Sequence, residues 1–234
     1  MSDVAMVQGE DTAQTGSAAE THEAGPEDIY GIHAGHHTVT GISNEKLGMW
    51  LFLGSECLLF GGLISTYLLY KNRPGALILQ SPAAGARAGS PVRISELFDI
   101  PFTSASSFVL LASSLTMVFA VLAAARDETH RLRLWLGATA LLGLIFISGQ
   151  VYEFTAFVKE GLGYTSNVST SAFYTLTGFH GVHVTFGIVM LFSCIALTYR
   201  ARKPSAESIE IVGLYWHFVD IIWIVIFTIV YLIK

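Results

Sequence analysis

The sequence predicts an all-α membrane protein: five transmembrane helices in a bundle, preceded by a disordered or extended acidic N-terminal tail. Three observations predict it. Five stretches, about 47–70, 102–125, 134–158, 169–199 and 209–233, contain no Lys or Arg. Each is longer than the ~20 residues an α-helix needs to cross the hydrocarbon core. Only 13% of the 234 residues are charged and 52% are hydrophobic, where a soluble domain carries about 25% charged residues. Alternating segments of about ten residues, the mark of a membrane β-barrel, are missing. In lipid the backbone must then satisfy its own hydrogen bonds within helices.

The tail comes first. Residues 1–45 carry Asp3, Glu10, Asp11, Glu20, Glu23, Glu27, Asp28 and Glu45 before the first basic residue, Lys46. Ala, Gly, Thr and Ser fill most of the rest, so the segment has too little apolar area to order itself. It lacks the basic start and apolar core of a signal peptide and the Arg-rich bias of a transit peptide. The net charge of −5 comes from this tail. Its end holds His33, His36 and His37, which read as a polar segment along the membrane surface rather than a metal site. No acid or cysteine stands nearby at a ligand spacing.

The five-helix domain follows over 46–234. Cys57 and Cys194 each lie within a span and read as small buried residues; there is no CxxC, so no redox pair or zinc knuckle is indicated. With five spans the termini lie on opposite sides. Lys46, Arg126, Arg131, Arg133, Arg200, Arg202 and Lys203 fall on one side, and Lys71, Arg73, Arg87, Arg93, Lys159 and Lys234 on the other. The first set is concentrated around two short hairpin loops, where the positive-inside rule has most force. The expectation is an N-terminus in the cytoplasm, a C-terminus outside, and the long Gly-, Pro- and Ala-rich loop 72–100 facing outward.

The spans are not purely apolar. The first holds Glu56. The third holds Gln150 and Glu153. The fourth holds His180 and His183, and the fifth His217 and Asp220, each pair spaced i, i+3 and so on one helix face. An Asp at bilayer depth costs roughly 2.5–3.5 kcal/mol on insertion scales, so such residues face the protein interior and need partners. The expectation is that His180, His183, His217 and Asp220 satisfy one another or neighbouring hydroxyls and waters, with Asp220 pairing a histidine of the fourth span. Gly54, Gly61, Gly62, Gly178 and Gly181 would let helices approach closely beside them. Three readings stay open on physical grounds. One is a buried network that fixes packing and binds lipid or a partner subunit. The second is a metal site, although His-x-x-His and His-x-x-Asp fit a di-metal carboxylate bundle poorly. The third is an ion pathway, although no inverted repeat of a stand-alone transporter is visible.

An ordered set of strings carries a more specific signal. These are Trp50 through Phe60 with Ser55-Glu56, Ser107 through Ser114, and Gln150-Val151-Tyr152-Glu153. Then come Thr177-Gly178-Phe179-His180-Gly181-Val182-His183 and Tyr215-Trp216-His217-Phe218-Val219-Asp220-Ile221-Ile222-Trp223. Together they resemble subunit III of the haem–copper respiratory oxidases, the cytochrome c oxidase subunit 3 family, from about Lys46 to Lys234. Mitochondrial members have seven spans, so this chain looks like the shorter bacterial form without the first two helices. The cleft that holds phospholipid in seven-span members would here be closed by another subunit, closed by lipid, or absent.

The resemblance implies an accessory subunit of an aa3-type cytochrome c oxidase in a bacterial plasma (inner) membrane. It implies that haem and copper belong to partner subunits, and that this chain has no catalytic residue and no metal of its own. Subunit I would be the main contact, with subunit II, small subunits and membrane lipids, including bound phospholipid, as further partners; nucleic acid is not one. The family's carbodiimide-reactive carboxylate matches Glu56, either as a proton-related group or as a packing acid held protonated in the core. The chain would stabilise subunit I and support proton uptake. Alternatives sharing these strings are subunit III of a quinol oxidase and an accessory subunit of nitric oxide reductase. A stand-alone proton or ion transporter is the alternative of a different class.

Overall fold

The structure is a computed structural model. It describes residues 43–71, 100–159, 164, 168–200 and 204–232, with the backbone of residues 78–79 and 92–93. Almost all of the acidic tail, His33, His36 and His37, and most of the loop 72–100 lie outside the described residues.

Among the described residues, five helices are long and apolar enough to cross a membrane. They are α1 (Asn44–Lys71), α2 (Ile100–Ala125), α3 (Thr129–Lys159), α4 (Val168–Tyr199) and α5 (Ala206–Phe227), the last continued by a π-helical turn, Thr228–Leu232. Each starts before its Lys- and Arg-free stretch, and at α1 and α5 a flanking serine caps the helix. In α1 the Lys46 N–H donates to Ser43 Oγ at 3.2 Å. In α5 the Ser208 N–H donates to the N-cap Ser205 at 3.1 Å, with Pro204 just before it. A side-chain oxygen at this position takes up a backbone donor that has no partner within the helix. Between α1 and α2 lies a feature the composition does not announce, an antiparallel pair β1 (Ile78–Leu79) and β2 (Val92–Arg93), with Ile78 opposite Arg93.

The α2–α3 connection shows why two long helices can lie side by side. Asp127 has φ 57°, the left-handed conformation. Its N–H bonds Ala124 O at 3.1 Å, and the Glu128 N–H bonds Ala123 O at 3.0 Å. This is the Schellman arrangement, which closes a helix by satisfying its last carbonyls. The chain reverses within Arg126–Glu128 and starts α3 at once.

α5 stands at the centre, against α1, α2 and α4, while α3 packs on α2 and α4. Two tryptophans on one face of α5 hold it there. Trp216 enters a slot opened by two glycines. A Cβ on Gly143 would come within 2.7 Å of its indole, and a Cβ on Gly187 within 2.8 Å. Its Nε1–H donates to Ser113 Oγ of α2 at 3.0 Å. Two turns later the Trp223 Nε1–H donates to Ser107 Oγ at 2.8 Å. The ring of Trp223 packs edge-on to Phe146 and stacks on His180, each with centroids 4.8 Å apart. These slots correct one expectation. Nothing lies within 4 Å of a Cβ at Gly54, Gly61, Gly62 or Gly178, whereas Gly181 meets Gln150 Oε1 at 3.2 Å. Close approach is thus at Gly143 and Gly187, and less tightly at Gly149, Gly181 and Gly213. Cys194 is buried as expected, but Cys57 is exposed, because α1 touches the bundle along a narrow strip.

At one end of the bundle α1 is tied to α5 by a Lys46–Glu210 ion pair of 2.8 Å and by a Ser43 hydroxyl donating to Glu207. Nearby Arg133 donates to Thr198 Oγ1 at 2.9 Å and lies over the Tyr199 ring at 4.0 Å. At the other end Lys71 Nζ donates to the Ile229 carbonyl at 2.8 Å, within the π-turn. Long basic side chains that reach polar partners at helix ends keep charge out of the hydrocarbon.

The glycine slots give a direct test. Gly187→Ala forces a methyl group into the Trp216 ring and should cost about 1–3 kcal/mol. Gly54→Ala meets open space and should leave stability unchanged or slightly raised. Thermal unfolding of the full-length chain in lipid nanodiscs compares the two; equal effects would mean that the indole slot does not set the packing.

Candidate functional site

Glu56 sits about 18 Å along α1 from Asn44, counting ~1.5 Å per residue, so it lies near the middle of the span. Its Oε2 is 3.1 Å from His183 Nε2 of α4. His183 Nδ1 is 2.7 Å from the Phe179 carbonyl one turn back. A carbonyl only accepts, so Nδ1 carries the hydrogen and Nε2 is left to face the carboxyl. A hydrogen bond across this contact then needs one proton between the two groups. Either a neutral carboxyl donates to the imidazole, or an imidazolium donates to the carboxylate, and the pair is electrically neutral in both forms. Phe60 packs on the imidazole edge at 5.0 Å, and Tyr215 OH donates to the His183 carbonyl at 2.9 Å. The pair is not sealed: the side chains are 15% and 13% exposed. His183 borders an open groove of about 350 Å³ lined also by Met49, Phe52, Phe186, Met190 and Tyr215.

The other intramembrane polar residues do not gather around this pair. His180 is fully buried between Phe146 and Trp223, and among the described residues neither ring nitrogen has a hydrogen-bond partner. His217 Nδ1 is 2.7 Å from Ser114 Oγ of α2. Asp220 is 3% exposed and neither of its carboxyl oxygens has a partner among the described residues. The Ser114 hydroxyl, which lies near Asp220, makes its measured hydrogen bond to His217 instead. The mutual pairing expected of these four residues is therefore not found. The reason is geometric. Residues i and i+3 are about 60° apart around a helix of ~3.6 residues per turn. On α4 that turns His183 toward α1 and His180 toward α3 and α5.

Glu153 and Gln150 form a second cluster toward the Lys71 end. Thr103 Oγ1 donates to Glu153 Oε1 at 2.5 Å, and Tyr231 OH donates to the same oxygen at 3.3 Å. One carboxyl thus joins α2, α3 and the π-turn after α5. Gln150 Nε2 donates to the Thr177 carbonyl at 3.3 Å, and its Oε1 rests on the Cβ-less side of Gly181. Sequence reasoning singled out neither Thr103 nor Tyr231. A hydroxyl that can serve a carboxyl in one fold returns to its own helix in another, as Ser65 does with the Gly61 carbonyl at 2.7 Å. No group of three His, Cys, Asp or Glu side chains that could hold a metal ion occurs among the described residues.

The geometry can be set beside known proteins. The sequence model of the family described as cytochrome c oxidase subunit III matches residues 27–234. This chain belongs to that family. It is 38% identical over 219 residues to the cytochrome c oxidase subunit 3 of Bacillus sp. (strain PS3), covering 92% of this chain and 94% of the relative. The Bacillus subtilis (strain 168) protein of the same description is 37% identical over 217 residues, with the same coverage. A probable quinol oxidase subunit 3 from Staphylococcus saprophyticus is 37% identical over 192 residues, covering 81% of this chain and 89% of the relative. As a member of the family the chain is a multi-pass membrane subunit of a respiratory haem–copper oxidase.

The exposed position of Glu56 sets an expected reactivity. A hydrophobic carbodiimide partitions into lipid and attacks a protonated carboxyl it can reach. Mass spectrometry after treatment should find the adduct chiefly on Glu56, with Glu153 and Asp220 shielded by burial, and Glu56→Gln should remove it. Preferential labelling of Glu153 or Asp220 would count against the assignment.

Proposed function

We propose that this chain is subunit III of a bacterial aa3-type cytochrome c oxidase, an accessory subunit that stabilises subunit I and supports proton uptake. The observation that carries the reading is the Glu56–His183 pair, placed at mid-membrane in a chain that matches the subunit III family along most of its length. A carboxyl and an imidazole sharing one proton can accept or release a proton with small movement of either side chain. That property suits a subunit that buffers or steadies proton delivery next to a proton-consuming partner.

Several of the chain's intramembrane polar residues are engaged in packing. His183 is held by Glu56 and a backbone carbonyl, His217 by Ser114, and Glu153 by Thr103 and Tyr231. This supports a non-catalytic role with no redox centre in this chain, the haems and coppers lying in subunits I and II. Elemental analysis of the isolated subunit should find no stoichiometric Zn, Fe or Cu. A metal bound at one per chain and lost in His183→Ala would defeat this part of the reading. The setting is the bacterial plasma membrane, with the N-terminus in the cytoplasm and the C-terminus outside. Basic residues Arg126, Arg131 and Arg133 in and beside the tight α2–α3 turn support this orientation. Small subunits and phospholipid complete the surroundings.

A second reading is subunit III of a quinol oxidase. It is favoured by the Staphylococcus saprophyticus relative, whose identity to this chain is close to that of the Bacillus proteins. The electron donor would be decided by whether the neighbouring subunit II carries a copper-binding domain.

Depletion of the subunit from the purified complex tests the role. Initial electron transfer should persist, and oxygen consumption should decay faster over many turnovers than in the intact complex. Immediate loss of haem reduction in a complex that remains assembled would assign this chain a redox role. Unchanged activity and lifetime would reduce it to assembly alone.

A further inference from the structure

The outward face shared by α2 and α5 is apolar except at its middle. Leu111, Ser114 and Val118 of α2 run alongside Leu214, His217 and Ile221 of α5, and Leu111, Val118 and Ile221 are exposed. The two stripes are joined where Ser114 Oγ meets His217 Nδ1 at 2.7 Å. With Nδ1 taken, the half-buried imidazole has Nε2 left over, and it has no partner among the described residues. Directly behind, on the same helix, Asp220 is nine-tenths buried with both carboxyl oxygens unpaired among the described residues.

The depth of these groups limits what can satisfy them. His217 lies about 16 Å along α5 from Ala206 at ~1.5 Å per residue, near the middle of the helix. Phospholipid headgroups stay at the membrane surface, and acyl chains at this depth offer neither donor nor acceptor. A polar side chain at bilayer centre is satisfied by another protein segment. The exposed mid-span positions of α3 lack this combination: Leu141, Leu144 and Ile145 are apolar, and the Ser148 hydroxyl returns to the Leu144 carbonyl at 2.8 Å.

We infer that the α2–α5 face is the docking surface for a transmembrane helix of another oxidase subunit. That helix brings, at mid-membrane depth, a hydrogen-bonding side chain that meets His217, behind which Asp220 lies buried. The imidazole can serve a donor or an acceptor, because Ser114 can donate to Nδ1 or accept from it, and the free Nε2 takes the complementary role. When Ser114 accepts from Nδ1, its own hydrogen is free to point toward Asp220; when it donates to Nδ1, it is not. The partner's group would thus be read by His217, whose tautomer Ser114 of the neighbouring helix sets. The inference rests on the subunit reading above.

A photoreactive benzoylphenylalanine placed at Ile221, or at Leu141 on the exposed face of α3, tests it in the purified intact oxidase. Irradiation should join position 221 to a different subunit of the same complex and position 141 to lipid alone. His217→Phe, a substitution at a half-buried site that leaves the core untouched, should lower the amount of this chain retained on the haem-bearing subunit after a detergent wash, while Leu141→Phe should not. Adducts from 221 to lipid only, or to a second copy of this chain, would overturn the inference, as would retention of the His217 variant equal to that of the parent. If the chain does not co-purify with a haem-bearing subunit at all, the subunit reading falls and this inference with it. If it does, and the adducts to that subunit arise from position 141 and not 221, only the face is wrong.

Discussion

The bundle depends on two indole N–H groups that have to be satisfied in a dry interior. Trp216 and Trp223 are seven residues apart, so they lie on one face of α5, two turns from each other. Each is too large to pass another helix without a gap and too polar to be buried without an acceptor. α2 supplies the acceptors, Ser113 and Ser107, at 3.0 and 2.8 Å. α3 and α4 supply the gap, through Gly143 and Gly187. The two hydrogen bonds fix α5 along α2, and the glycine slot fixes how close α3 and α4 can come. The positions of the acidic and imidazole groups follow from that register. His180 is stacked on Trp223, Asp220 is placed one turn before it, and His217 is turned outward to Ser114.

Once the register is fixed, polar groups in the spans sort by how each meets the same cost. Leaving a polar group unpaired in an apolar medium costs roughly 2–7 kcal/mol depending on the reference state. Hydroxyls meet it locally, by donating to the carbonyl a turn back, as at Thr66, Thr177 and Thr185. Two carboxyls find another segment: Glu56 finds His183, and Glu153 finds Thr103 and Tyr231, whereas Asp220 finds none among the described residues. The π-helical turn at Thr228–Leu232 belongs to the same economy. Widening the helix there alters the backbone hydrogen bonding, and Lys71 donates to one of its carbonyls, that of Ile229. The end of α1 is thereby held to the end of α5.

Much of the fold was legible because bilayer thickness is a hard length rule. Apolar stretches free of basic residues locate the helices, and capping by Ser43 and Ser205 accounts for the few residues by which α1 and α5 start before them. What was not legible was which small residue faces which large one. Gly54, Gly61 and Gly62 look like a packing stripe, yet they face open space because α1 touches its neighbours along a strip carrying Leu53, Phe60 and Tyr67. Within the site, the residues themselves were legible from their type and setting, but not their pairing. Spacing of i, i+3 places two histidines on one face, and that is true to within about 60°. At a point where three helices meet, 60° separates two different neighbours, so His180 and His183 have different environments. Thr103 and Tyr231 escaped notice since a hydroxyl carries no signal in sequence that tells an interhelical bond from a local one.

The fate of the two histidines of α4 shows how packing assigns chemistry to residues of one type. His183 has its Nδ1 hydrogen fixed by the Phe179 carbonyl and its Nε2 set against Glu56. It faces a carboxyl of α1 and lines an open groove. His180 has aromatic rings on two sides and no hydrogen-bond partner among the described residues. A charge on it would be unscreened and unpaired, so it acts as a flat neutral plate against Trp223. Exchanging their roles would need only a rotation of α4 by about 60°, and that rotation is blocked by Trp216 standing in the Gly187 slot. The proton-sharing pair exists because the tryptophans of α5 hold the neighbouring helix at one angle.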